Sequence, residues 1–420
     1  MTRSRRRPLV GSFVLAVALA GSMVRLTGAP APRPIEAGFA ATLPDRLTDG
    51  EFWSLSQDLS EPSGSFQSDN LLSNEFVFAV AVPEVVSRTK PGGVYLGVGP
   101  EQNFTYIATM KPAIAFVTDV RRGNLHLHLM YKALFDLSAD RAEFLSRLFT
   151  KPRPAGLTAS TSVTDLVNAY WDAFTSGENV YRANLKAIDD DLTKTHHLPL
   201  SQADLDGIAR VYRAFDWYGP AMNYSASTSL DLSHAGLPVS TYADIVAQVD
   251  GADQGVTFLG SEDRYAFVKD LEQRNLVVPV VGNFAGPKAL RAEGDWLRAH
   301  GATVGAFYVS NVETYLRQDN VWTTFCANVA SMPIDAASVF IRPGMSGGGR
   351  LIQGGGTRIL TTSANGGTIV TFITRSGTAS ASSRASSSLA SQLQALGIVQ
   401  QEVRRASVLA PIAPEVQPCR

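Results

Sequence analysis

Gly92-Gly93-Val94-Tyr95-Leu96-Gly97-Val98-Gly99-Pro100-Glu101-Gln102-Asn103 opens a stretch that ends on a second apolar run, Ile114-Ala115-Phe116-Val117-Thr118-Asp119. Val94–Val98 has the β-branched and aromatic content of a buried strand, and it delivers the chain into a tight turn at Gly97 and Gly99. Asp119 stands 119 − 97 = 22 positions after the first glycine. That is near the roughly 20-residue spacing at which an acidic residue at the tip of the next strand reaches the ribose hydroxyls of a nucleotide-type cofactor. The third glycine of the dinucleotide fingerprint is missing, with Gln102 in its place, which favours a smaller nucleoside cofactor over one bound by its pyrophosphate.

Outward from this unit the chain alternates strand and helix, as a parallel sheet with right-handed crossovers requires. Phe104–Met110, Asn124–Phe135 and Ala139–Phe149 read as helices, with Ser138 placed to cap the last. Lys151–Ser162, rich in Pro, Ser and Thr, opens a helical insert over residues 163–249, with helices near Asp165–Phe174 and Asp204–Phe215. The rhythm resumes with strands at Val256–Leu259, Leu276–Val281, Thr303–Val309 and Ser338–Ile341 and helices at Tyr265–Gln273 and Ala289–Ala299. Thr357–Thr362 and Thr368–Thr374 read as a closing C-terminal hairpin. The expected fold is therefore α/β: a Rossmann-like, mostly parallel sheet with helices on both faces, a closing hairpin and a helical insert. The expected organisation is a signal segment over 1–31, a lead over 32–49, the α/β domain over 50–375 and a low-complexity tail over 376–420.

The 420 residues carry 37 Lys and Arg against 38 Asp and Glu, for a net charge of −1. That balance argues against a nucleic-acid partner and for a small-molecule ligand. Arg3, Arg5, Arg6 and Arg7, the apolar run Pro8–Val24 and the small residues Ala29-Pro30-Ala31 follow the order of an export signal, and Ser4–Leu9 approximates a twin-arginine signal. The protein is thus expected in the periplasm or secreted, with no span beyond that segment and with an uncleaved anchor as the alternative. The two cysteines, Cys326 and Cys419, are too few for a disulfide framework, although an exported chain can pair them.

Ligands of an open parallel sheet bind outside the carboxyl ends of its strands. Gly97, Gly99, Gln102, Asn103, Asp119 and Asn283 are accordingly the expected cofactor contacts, and the carboxylates of Glu101 and Glu262 are the candidate bases. Polar clusters at Leu59–Gly64 and Ser68–Asn70 are placed to serve as lids or as ordinary loops. Arg121-Arg122 suits either an anion clamp or surface ion pairs. Lys288 sits where the following helix already presents positive charge, which calls for a nearby anion or leaves a solvated lysine. Gly344-Met345-Ser346-Gly347-Gly348 matches a nucleophile elbow, but its glycines start a helix poorly and no Asp or His follows it. His126, His128 and the pair His196-His197 lack zinc-helix spacing, so no metal site is expected.

Leu59-Ser60-Glu61-Pro62, Ser68-Asp69-Asn70, Ser73-Asn74-Glu75, Gly93–Tyr106, Val280–Leu290 and Ala306–Glu313 together resemble a bacterial family of uncharacterised proteins. The fold of that family is similar to that of class I S-adenosylmethionine-dependent methyltransferases, and the resemblance covers Phe52 to Thr374. It implies S-adenosylmethionine as cofactor, with Gly97 and Gly99 along its methionine and ribose and Asp119 on the ribose hydroxyls. The chain departs from the methyltransferase pattern at Tyr95-Leu96, where an acidic residue usually precedes the turn. A binding protein without chemistry on the same fold is the alternative to an enzyme.

Overall fold

The computed structural model describes residues 43–73, 75, 82–223, 241–249, 254–342, 357–364, 367–374 and 409–419. The signal-like N-terminus, the Gly344–Gly348 motif and residues 375–408 of the low-complexity tail lie outside the described residues.

Five parallel strands and one antiparallel strand form the central sheet. They are β1 (Val94–Gly97), β2 (Ile114–Asp119), β3 (Val277–Val281), β4 (Val304–Tyr308), β5 (Val339–Ile341) and β8 (Leu409–Pro411), in the order β3-β2-β1-β4-β5-β8. Only the β5–β8 pair is antiparallel. Strands β1, β2, β3 and β5 are buried along their whole length, which is why they read as unbroken apolar runs rather than alternating ones. The order reverses between β1 and β4, placing the crevice of a doubly wound sheet at their carboxyl ends.

The helices are α1 (Asp49–Leu59), α2 (Val82–Arg88), α3 (Gln102–Met110), α4 (Arg122–Leu137), α5 (Arg141–Leu148), α6 (Val163–Asp172), α7 (Glu178–Asp190), α8 (Gln202–Tyr218), α9 (Tyr242–Val246), α10 (Glu262–Gln273), α11 (Ala289–Ala299), α12 (Val312–Gln318), α13 (Trp322–Ala330) and α14 (Ile412–Val416). They cover both faces of the sheet. Phe116 of β2 packs on Trp296 of α11, with ring centroids 5.4 Å apart, and Phe307 of β4 packs near Phe325 of α13. The next residue, Tyr308, points the other way and meets Tyr106 of α3 at 5.0 Å. Phe104 anchors that second layer by edge contacts to Tyr131 and Phe135 of α4, a geometry aromatic rings favour. The hairpin forms as β6 (Thr357–Ala364) and β7 (Gly367–Thr374), a two-stranded sheet of its own.

Local chemistry explains where the elements depart from expectation. Val256–Leu259 is not a strand. Phe258 N donates to Thr105 Oγ1 and Thr257 Oγ1 donates to Val246 O, so side chains take the bonds a ladder would use. The backbones of Gly255 and Gly260 also press together there, where a Cβ on either glycine would meet the other residue within 2.5 Å. Helix α5 is capped by Asp140, which accepts from Glu143 N at 2.8 Å. Ser138 instead ends α4, because Asp ranks with Ser as a cap and stands adjacent to the first helical residue. Pro287 lies just before α11, whose cap position is Lys288. Residues 409–419 are no loose tail: β8 extends the sheet, and Cys419 is disulfide-bonded to Cys326 of α13.

Residues 60–75 run as a strap across the carboxyl ends of the strands. Glu61 N donates to Val281 O of β3 and Gly64 N to Val120 O just after β2. The Asp69 carbonyl accepts from Arg121, Ser73 N donates to Glu101 Oε1, and Glu75 accepts from Ser310 beyond β4. The Glu61 carboxylate accepts from the backbone N–H groups of Asn283, Lys288 and Ala289 at 2.8–3.1 Å. It thereby supplies from within the chain the anion that the N-terminus of α11 favours. Lys288 is exposed, and its Nζ donates to Ser60 O at 2.8 Å.

Removing that carboxylate in Glu61→Ala leaves three N–H groups unpaired, and a loss of about 1–2 kcal/mol is expected by analogy with cap deletions. Urea unfolding should show the lower midpoint and limited proteolysis should cut within the strap, whereas an unchanged midpoint and cleavage pattern would refute the role. The disulfide closes a loop of 93 residues, for which chain entropy predicts a stabilisation of about 4–5 kcal/mol. Cys419→Ser should therefore melt well below the wild type under oxidising conditions and equal to it in reductant.

Candidate functional site

The turn after β1 is built around Asn103. Its fully buried amide donates to the carbonyls of Val98, Gly99 and Pro100 at 3.0, 3.1 and 2.7 Å, and its Oδ1 accepts from Tyr95 OH at 2.8 Å. Gly97 is required by this arrangement, because a Cβ there would lie 2.0 Å from Asn103 Oδ1. Gly99 adopts φ +78°, which glycine alone takes readily. Asn103 and Gly97 therefore shape the turn, and the expectation that Asn103 itself contacts a cofactor is corrected: its hydrogen-bonding groups are already engaged by the chain.

Glu101 and Gln102 are held on that turn, facing the point where the sheet order reverses. Glu101 is completely buried. Its Oε1 accepts from Ser73 N at 3.3 Å, and its Oε2 has no partner. Burial raises its pKa to about 8, so at neutral pH the carboxyl holds a proton and is no free base. The phenols of Tyr131 and Tyr242 lie against it. Gln102 Nε2 donates to Tyr308 OH at 2.8 Å, leaving Oε1 buried and unpaired.

The strap brings Glu75 to the same end of the sheet. One of its oxygens accepts from Ser310, whose backbone takes the left-handed φ of +48°, and the other is buried without a hydrogen bond beside the Tyr308 phenol. Burial raises this carboxyl to about 7. On the β2 side, Asn124 in the first turn of α4 is buried with both amide atoms unpaired. His128 Nε2 lies 2.9 Å from Gly99 O. Its pKa is lowered to about 4 by burial, so the ring is neutral, donates from Nε2 and leaves Nδ1 as a buried acceptor without a partner. Native proteins leave few buried polar groups unpaired, and Glu75, Glu101, Gln102, Asn124 and His128 each hold at least one such atom.

Asp119 lies at the tip of β2 as the spacing predicts, but it is nearly closed off. Its Oδ1 accepts from Arg121 N at 2.9 Å, and its carboxylate pairs with the Arg121 guanidinium, itself pinned to Asp69 of the strap. Arg122 pairs with Asp204, so the two arginines form ion pairs within the chain. Two expected site residues are not brought to the crevice. Asn283 is exposed beyond β3 and turns its Oδ1 onto Ala285 N. Glu262 begins α10 and binds the buried Arg141 at 2.8 Å, an arginine that also donates to the carbonyls of Leu259, Ala159 and Thr161. Its assignment as a base rested on Val256–Leu259 being a strand, and without that strand it has no place at the sheet end.

Glu75, Asn124, His128 and Ser310 are the residues the motifs did not single out as a site. Glu75 and Ser310 lie in the stretches Ser73-Asn74-Glu75 and Ala306–Glu313 that carry the family resemblance, but nothing local says that a loop before β1 crosses to β4. Among the described residues no helix is long and apolar enough to cross a membrane.

A carboxyl whose folded pKa is raised binds its proton more tightly in the native chain, so its stabilisation is present below about pH 4.5 and is lost as pH rises toward about 8. The slope for one such group is about 1.4 kcal/mol per pH unit. Glu101→Gln should therefore lose less stability between pH 5 and pH 8 than the wild type. Parallel declines in urea midpoint across that range would remove Glu101 as a titrating group.

No curated protein matches the chain. Residues 71–353 match the family described as Domain of unknown function (DUF7790), a segment that holds Glu75, β1 through β5 and the whole crevice but not α1 or β8. The chain belongs to that family.

Proposed function

We propose that this chain is a methyltransferase-like protein that binds S-adenosylmethionine, or a related nucleoside, at the carboxyl ends of β1, β2 and β4. The observation that carries the reading is the set of unpaired buried oxygens of Glu75, Glu101 and Gln102 at the point where the strand order reverses. The Gln102 oxygen lacks a donor, and the raised carboxyls of Glu75 and Glu101 become acceptors once a ligand displaces their protons, so the set calls for N–H or O–H groups or positive charge. An α-ammonium group and a sulfonium centre meet that demand, and an anionic phosphate does not. Asp119 then serves the ribose once Arg121 and the strap move aside, and the amide of Asn124 offers both a donor and an acceptor. Methyl transfer rests mainly on proximity and alignment of donor and nucleophile.

A binding protein without chemistry is favoured by one observation: Glu101 is protonated at neutral pH and Glu262 is spent on Arg141, so neither predicted base is free. Export is supported by the Cys326–Cys419 bond, since disulfides persist in oxidising compartments. A twin-arginine route would let the protein leave the cytoplasm already folded around its ligand.

Titration calorimetry of the mature protein with S-adenosylmethionine and S-adenosylhomocysteine tests the reading. The expected result is saturable binding of S-adenosylmethionine, weakened at least tenfold in Glu101→Gln and in Asp119→Ala. Binding of the cation should ionise the raised carboxyls, so at pH 6.5 protons are released and affinity increases toward pH 8. Absence of binding by either compound, or equal affinity in both variants, refutes the cofactor assignment. Binding without transfer to any acceptor would select the second reading.

A further inference from the structure

A second polar cluster lies away from the crevice, where the helical insert meets the first and fourth helices. Helix α7 continues into one wide turn, Asp191–Thr195, closed by His196 N donating to Asp191 O at 2.9 Å. Such a turn, with its five-residue repeat, sets Asp191 and His196 on one face, and turns of this kind recur at functional sites. The His196 ring is held between carboxylates from three elements. Nδ1 lies 2.8 Å from Asp49 Oδ1 at the start of α1, and Nε2 lies 3.0 Å from Asp136 Oδ2 near the end of α4 and 3.8 Å from Asp191 Oδ2.

We propose that Asp136, Asp191 and His196 form a binding site for a divalent transition-metal cation of the zinc or manganese class. Nε2 and one oxygen from each aspartate all lie within 4.8 Å of one another. Ligands at about 2.0–2.1 Å from tetrahedral zinc stand about 3.3 Å apart, so two of the contacts need little adjustment and the third a modest closure. The observation that points to a cation is Asp191. It is only 8% exposed and its Oδ2, directed at His196 Nε2, has no hydrogen-bond partner. A buried carboxylate oxygen without a donor is costly.

The surroundings are those of a metal-bound imidazole. Asp49 accepts Nδ1–H, which leaves Nε2 as the ligating lone pair, the arrangement in which an outer carboxylate fixes ring orientation and tautomer. Asp49 is itself positioned by Asn275 Nδ2 at 2.8 Å, and the same amide donates to Leu47 O at 3.0 Å. Nε2 lies within hydrogen-bond distance of the acceptor-only Asp136 carboxylate, so without a metal it carries a proton there, and a cation bound between Nε2 and the two aspartates would take that proton's place. Lys132 Nζ approaches Asp136 at 3.6 Å but donates to Glu272 O at 2.7 Å, so its charge is directed at that carbonyl as well as at the cluster. One imidazole and two carboxylates suit zinc or manganese better than a soft thiophilic ion, and three protein ligands leave a further position for water. The bound ion would fasten the insert to α1 and α4.

The test uses the untagged full mature chain stripped with chelator. Calorimetric titration with zinc chloride and with manganese chloride should give one site per chain at micromolar concentration or below for at least one metal, with a rise in melting temperature. Cobalt should give a ligand-field absorption that zinc displaces. Asp191→Asn keeps shape and breaks no hydrogen bond made by that side chain, so it should fold normally and bind at least tenfold more weakly, as should His196→Asn. No saturable binding of either metal up to 1 mM, or binding unchanged in Asp191→Asn and His196→Asn, would overturn the site by showing that any uptake occurs elsewhere.

Discussion

The carboxyl ends of the parallel strands present carbonyls, turns and helix N-termini that must be satisfied with little access to water, and the rest of this structure follows from how that is done. An unpaired buried polar group costs about 1–3 kcal/mol, so strands cannot simply end beneath a covering chain. The strap over residues 60–75 meets most of the demand. Glu61 closes the start of α11, Gly64 pairs beyond β2, and the Asp69 carbonyl takes the guanidinium of Arg121. Gly64 is needed there because a Cβ would lie 2.5 Å from Val120 Cγ2. Across β3 and β2 most of the sheet end is therefore closed by the chain itself, with Asn124 the exception.

Satisfaction stops at β1 and β4. There the same strap supplies Ser73 and Glu75, which add one donor to Glu101 and a second buried carboxyl. Oxygens of Glu75, Glu101 and Gln102 are left without partners, while a few residues away the four polar contacts of Asn103 are complete. Poor packing does not account for that contrast, because Tyr95, Tyr106 and Tyr308 are fully buried around it. One half of the crevice is thus closed by the Glu61 carboxylate on the start of α11, and the other half keeps buried oxygens without partners.

Much of the fold was legible because parallel strands buried on both faces are written as apolar runs. Val94–Val98, Ile114–Val117, Leu276–Val281, Thr303–Val309 and Ser338–Ile341 each hold a strand of the sheet. Val256–Leu259 has the same composition and failed, because Thr105 and Thr257 side chains and the Gly255–Gly260 approach decide its backbone, and composition carries neither. Helix α7 was missed inside a polar insert, and β8 lies beyond a Ser-rich stretch that gives no reason to look for a strand. The site was legible only where it is local. Gly97, Gly99, Glu101, Gln102 and Asp119 follow from the turn and its spacing, whereas Glu75, Ser310 and Asn124 depend on which loops the topology brings together. Asn103 was identified by position and misread in role, since only coordinates show that its amide fills the space the glycine leaves.

Strand β8 fastens residues 409–411 to the edge of the central sheet. It pairs antiparallel with β5 through residues 409–411, while Arg342 just after β5 bridges Glu313 of α12 and Glu415 of α14, and Cys419 is bonded to Cys326. β5 is only three residues long, too short to hold an edge firmly by its own ladder. Its far side is held by one ion-pair network and one disulfide.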